Sequence, residues 1–156
     1  MMNTDIALTP AGQLKLEEEL RHLETVRRRE VGERIKEAKE FGDISENSEY
    51  DDAKNEQAWV ESRIIEVTQI LARATVVDAP TSSTKVTLGS KVKLESANGV
   101  TVYQVVGSAE ADPSNDMISN ESPVGSAIMG HKKGDVVKVT TPSGKVIEYK
   151  ILSISR

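Results

Sequence analysis

The chain has 156 residues, of which 37% are hydrophobic and 29% charged, the balance of a soluble globular protein of one ordinary domain or two small ones. No apolar run approaches membrane-span length and residues 1–30 carry no secretory signal pattern, so a cytoplasmic protein without membrane contact is expected. With no Cys there is neither a disulfide nor a thiolate metal site, and His22 and His131 alone cannot assemble a zinc ligand set.

The net charge of −5 is unevenly spread, since residues 1–80 hold 11 basic and 18 acidic side chains and residues 81–156 hold 9 and 7. In the acidic part, "TPAGQLKLEEEL" predicts a helix capped by Thr9 with Pro10 in the first helical position. Helical composition runs to Phe41, and Gly42 is a natural stop. A second helix follows, with Ala53, Gln57, Val60, Ile64, Val67, Leu71 and Ala74 at the alternating four-three spacing of a coiled-coil seam. The first helix supplies Leu16, Leu20 and Leu23, then resumes in a different phase at Val31, Ile35 and Ala38, which reads as a stutter that locally changes the supercoil. Two long helices with a short connection fold back antiparallel, and about thirty residues make an arm of roughly 45 Å.

"DAPTSST", residues 78–84, has linker composition. Beyond it the β-branched runs "KVKLES", "VTVYQVVG", "DVVKVTT" and "KVIEYKILSI" are separated by "ANG" and "PSGK" turns and by one long polar loop with a short helix near Pro123. The expected fold is α+β: an N-terminal antiparallel helical coiled-coil hairpin over 1–78, a linker over 79–84, and a small antiparallel β-sheet domain over 85–156.

At the hairpin tip, "EFGDISENSEYDD" places Glu40, Asp43, Glu46, Glu49, Asp51 and Asp52 within thirteen positions with no Lys or Arg among them. Two uses compete. "DISE" has the form of a capping box, with Asp43 capping the second helix and Glu46 reaching back from its third position, and acidic helix starts are common. Alternatively, exposed carboxylates are hard oxygen ligands suited to Mg2+, and two of them could complete a site held mostly by another molecule.

The tip "FGDISENSEYDDAKNEQ" followed by "ISNESPVGSAIMGHKKGDVVKVTTPSGK" resembles, in that order and over nearly the whole chain, the bacterial Gre transcript-cleavage factors of the GreA type. The resemblance implies an FKBP-like β domain that docks on RNA polymerase at the rim of the secondary channel, and a hairpin that enters the channel. It implies that Asp43 and Glu46 are the catalytic tip acids, helping to hold the second Mg2+ and to position the attacking water when backtracked RNA is cut. The protein would then activate the polymerase's own nuclease reaction and have no independent turnover, with no sequence-specific DNA binding, as a monomer.

Lys39 and Lys54 match family positions on the basic face that meets the displaced 3' end of the nascent RNA, where phosphate contacts are salt-sensitive and sequence-independent. Their ordinary alternative is i, i+4 pairing on a solvated face. Arg27 to Arg29 form the densest basic cluster, expected as a solvated face or a channel-wall contact. Ser119, Ser122 and Pro123 are the expected polymerase-docking loop, unless "SP" only starts a short helix.

Three rivals are set against this reading. An FKBP-like isomerase or chaperone needs an aromatic-walled pocket, and after residue 80 only Tyr103 and Tyr149 are aromatic. A relative with altered tip acids would inhibit polymerase, whereas this chain keeps Asp43 and Glu46 in the "GDxxEN" frame. A plain coiled-coil adaptor would tolerate replacement of the tip.

Overall fold

The computed structural model describes residues 6–42, 47–78, 80 and 83–156. The chain forms two compact units, one of Leu14–Arg73 and one of Met1–Gln13 with Ala74–Arg156.

The helical unit is the expected hairpin. Helix α1 (Pro10–His22) passes through a turn of π-helix (Leu23–Arg27) into α2 (Arg28–Glu40), and α3 (Ser48–Arg73) returns beside them. The π turn explains the phase change. A heptad continued from Leu16, Leu20 and Leu23 would place its next apolar residues one position before Val31, Ile35 and Ala38, and a π bulge inserts one extra residue into a helix. The expected stutter is therefore a π turn, which restores the seam to the buried side: Leu23, Val31, Ile35, Ala53, Val60 and Ile64 form one core, with Leu20 and Tyr50 packed against it. Each fully buried aliphatic side chain of this kind contributes about 1.5–3 kcal/mol.

So narrow a core is supplemented by charge. Arg28 makes a two-pronged contact with Glu61 at 3.1 and 3.0 Å, Arg27 donates to Glu56 at 2.6 Å, and Arg34 shares Glu56. Arg63 clamps Glu19 with two hydrogen bonds of 2.7 and 2.8 Å. These pairs join partners in antiparallel order. Arg27 and Arg28 thus serve as struts between helices, a use not expected of the basic cluster.

In the other unit, β3 (Lys91–Ser96), β4 (Gly99–Val106), β5 (Met117–Ser119), β6 (Val136–Thr140) and β7 (Val146–Ser155) form a sheet of order β5-β4-β3-β7-β6. All neighbours are antiparallel except β5, which lies parallel to β4. Strict alternation in β3 and β6 buries Val92, Leu94, Val137 and Val139, and these meet Val86, Leu88, Val105, Ile128 and Ile151 in the core. The long polar loop holds β5, two turns of 3-10 helix and α4 (Pro123–Ile128), the last of these being the short helix expected near Pro123.

Strands β1 (Ile6–Leu8) and β2 (Ala74–Val76) pair in parallel within this same unit. Ala74, expected to close the coiled-coil seam, is paired with Ile6 instead. The unit boundaries consequently differ from a division at residues 78 and 84. The reason is long-range bonding: Leu8 is fully buried, and Thr9 is held by Glu110, whose carboxylate accepts from the Thr9 backbone N–H at 2.9 Å, from the Thr9 hydroxyl, and from Gly107 N–H at 3.1 Å. Thr9 also caps α1 as expected, its hydroxyl accepting from Gly12 N–H at 3.1 Å.

Candidate functional site

Asp43 and Glu46 lie outside the described residues, but the chain on either side defines the frame that carries them. Phe41 closes α2, its N–H donating to Ala38 C=O at 3.3 Å. Gly42 follows at φ +127°, a backbone angle open to glycine and costly for other residues. On the far side Asn47 Oδ1 accepts from Tyr50 N–H at 3.2 Å, and Asn47 C=O takes the first helical bond, from Asp51 N–H at 3.1 Å. Asn47 is the cap of α3.

The described start of α3 is thus capped by Asn47, while the capping box expected of Asp43 and Glu46 lies outside the described residues. Asn and Asp cap about equally well, so local preference could not choose between residues 43 and 47. Tyr50, whose N–H the Asn47 side chain accepts, packs against the hairpin core. The Tyr50 donor is satisfied without a carboxylate. Glu49 and Asp51, exposed in the first turn of α3, sit where the helix dipole favours anions.

Asn47 has a second bond. Its Nδ2 donates to Ala38 C=O at 2.6 Å, so one carbonyl oxygen receives both the end of α2 and the cap of α3. The connection bearing the tip acids is pinned at its base.

Both candidate lysines are exposed. Lys39 occupies the last turn of α2, a favourable place for a cation, and Lys54 Nζ donates to Gln57 Oε1 at 3.0 Å. Neither is paired with a carboxylate among the described residues, and Asp43, the acid four positions after Lys39, lies outside them. Beside Lys39 on the same helix, Arg34, Glu37, Ala38 and Phe41, with Glu49, line a shallow recess of about 130 Å³.

The loop residues are more committed to structure. Ser122 caps α4, its Oγ accepting from Gly125 N–H at 3.1 Å and donating to Ser119 C=O at 2.6 Å, and Pro123 takes the first helical position. Ser119 Oγ lies 2.9 Å from Ser108 Oγ and accepts from Glu121 N–H at 3.0 Å. A Cβ on Gly125 would collide with the Ser119 carbonyl, so the approach of α4 to β5 requires glycine there. Pro123 and Glu121 are exposed.

Three contributors were missed in the sequence: Asn47, the exposed Phe41, and Glu110. For Asn47 the signal was present, a good cap residue just before the acidic turn of the second helix. Glu110 had none, because its partner Thr9 is 101 residues away.

Among the described residues, no group of three or more His, Asp or Glu could hold a metal ion, and no helix is long and apolar enough to cross a membrane.

Comparison with known proteins gives a consistent result. Residues 6–76 match the family model described as "Transcription elongation factor, N-terminal", and residues 81–156 match "Transcription elongation factor, GreA/GreB, C-term". The chain is 54% identical to the transcription elongation factor GreA of Acetivibrio thermocellus over 157 residues, covering 99% of this chain and 98% of that one. It is 51% identical to the factor of the same name from Thermoanaerobacter pseudethanolicus, covering 99% and 100%. Among solved structures, the GreA factor homolog 1 of Thermus thermophilus is 33% identical, with 97% and 99% coverage and a TM-score of 0.44.

Proposed function

From the premise that the chain belongs to the GreA/GreB family of transcription elongation factors, we propose that it binds RNA polymerase at the secondary channel and stimulates the polymerase's own cleavage of backtracked nascent RNA. The sheet unit docks, through the surface around Ser119, Ser122 and Pro123, and the hairpin tip meets the RNA 3' end. The protein works in the cytoplasm as a monomer, reads no DNA sequence, and has no turnover by itself.

The observation that carries the reading is the cap. Because Asn47 satisfies the first turn of α3, Asp43 and Glu46 are not needed for that task. Two carboxylates are the hard anionic donors that Mg2+ prefers, and too few to hold it unaided. When bound, the ion acidifies a water and offsets charge developing on the phosphate. Asp43 and Glu46 supply the anionic oxygens that complete its shell and orient the attacking water. Lys39 and Lys54 hold the RNA backbone by charge.

Isomerase activity is disfavoured by the sheet unit itself. Among the described residues, two of its hollows, about 820 and 590 Å³, have no aromatic residue in their linings, whereas a prolyl pocket requires such walls.

The test adds purified protein to a stalled, backtracked elongation complex and measures RNA shortening. Asp43→Asn and Glu46→Gln should each remove most cleavage while polymerase binding and melting temperature stay near the parent values. The double variant should lose much less than the product of the single losses, because both serve one site. Full activity in Asp43→Asn at limiting Mg2+ would refute the metal role of that residue. Slowed RNA synthesis without shortened RNA would replace activation by inhibition.

A further inference from the structure

Phe41 is the one phenylalanine of the chain, and it is 86% exposed. Phenylalanine is among the residues most often buried. Its exposure does not follow from a missing core, because Tyr50, at the same end of the hairpin, packs against one. Nor does it follow from a loose backbone: the Phe41 N–H is bonded to Ala38 C=O, the same oxygen that Asn47 grips at 2.6 Å. The ring is held out on a pinned stem, two residues before Asp43.

We propose that Phe41 is a stacking platform for an unpaired nucleobase at the 3' end of the displaced RNA. This rests on the function proposed above and extends it from the phosphates to the bases. The charge around the ring selects this occupant. Glu37 and Glu49 line one recess with Phe41, where Arg34 is already paired with Glu56, and Glu40 adjoins it in sequence. These carboxylates repel a phosphate backbone and leave Lys39 as the nearest cation along α2 not paired with a described carboxylate. A base is uncharged and presents a flat π face, which an exposed aromatic ring accepts without regard to sequence. Lys39 draws the backbone, Phe41 receives the base, and the strand is oriented toward the acids. Phe41 is thus a positioning residue and takes no part in bond breaking.

The experiment is a cycle of two proteins and two RNAs. Wild type and Phe41→Leu are compared on backtracked complexes whose displaced 3' nucleotide either carries its base or is abasic. Leucine keeps apolar bulk and loses the aromatic face. With the base present, Phe41→Leu should slow cleavage at subsaturating factor by roughly tenfold, within the range that stacking one base on an aromatic ring supplies. With the abasic RNA the two proteins should differ by less than about twofold, and Phe41→Tyr should restore the wild-type rate on the intact RNA. Since the side chain is exposed, melting temperatures should coincide. An equal loss on both RNAs would assign Phe41 to an apolar wall of the polymerase and overturn the proposal, as would no loss on either. Wild-type protein that leaves both RNAs uncut, while still binding polymerase, would overturn the reading of function and this proposal with it.

Discussion

The side-chain amide of Asn47 donates to the backbone carbonyl of Ala38 at 2.6 Å, joining the end of one hairpin helix to the cap of the next. Replacing Asn47 with Ala removes this bond and the cap together, at a cost of about 1–2 kcal/mol. Asn47→Asp keeps a cap oxygen but sets a carboxylate against a carbonyl. Thermal unfolding should rank wild type above Asp and Asp above Ala. RNA cleavage should fall further in both than stability does, because the pinned base of the tip is lost; activity tracking stability alone would contradict this.

Glu19 and Arg63 give the hairpin a pH dependence. The two-pronged hydrogen bond from Arg63 holds the Glu19 carboxyl below its ordinary value of 4.5, against a smaller opposing effect of burial. A depressed carboxyl stabilises the fold above its unfolded pKa, and the contribution fades as pH falls through the folded one. Hairpin stability should therefore decline below about pH 4.5. Both partners are partly exposed, so the pair contributes on the order of 1 kcal/mol. Arg63→Met should lower the melting temperature at pH 7 and flatten its decline between pH 5 and 3. A parallel decline in both proteins would place the effect elsewhere.

The exposed lysines should show themselves through salt. Lys39→Glu and Lys54→Glu should weaken cleavage most at low ionic strength, where phosphate attraction is least screened, and leave polymerase binding nearly intact. Loss that is the same at about 50 and 300 mM salt, conditions whose Debye lengths differ by about 2.4-fold, would point to damage in the hairpin.

Gly12 offers a reversal of the usual helix rule. Ala in place of a helical Gly ordinarily stabilises by about 0.5–1 kcal/mol, but a Cβ at Gly12 would overlap the Glu110 carboxylate. That carboxylate is held by Thr9 and Gly107, and displacing it costs those bonds. Gly12→Ala should destabilise the protein by about 1 kcal/mol. In a Glu110→Ala background the same change should turn stabilising, a sign inversion that calorimetry on the four proteins can read.

The features legible along the chain are those that a segment decides by itself. The Thr9 cap with Pro10 behind it, the apolar spacing from Ala53 to Val67, and the alternation that buries Val92 and Leu94 all follow from helix or strand geometry acting on neighbouring residues. The tip acids could be read as a motif for the same reason, since they lie in one continuous stretch. Even the break in phase after Leu23 could be seen, although its cause could not, since a stutter and a π turn leave similar spacing.

Tertiary structure decided the matters in which local options were equal or the partner was distant. Asp43 and Asn47 were comparable caps on local preference, and it is Asn47 that caps the described start of α3. The "SP" dipeptide could dock or cap, and the seating of α4 against the Ser119 carbonyl gave Ser122 a cap to make. Ile6 to Leu8 and Ala74 to Val76 are too short to announce themselves as strands, and they exist because each supplies the other's hydrogen bonds. Glu110 reads as an ordinary loop acid until the fold brings Thr9 to it. A short-range preference is written into the residues that express it, whereas a bond across 101 residues depends on every element that folds between them.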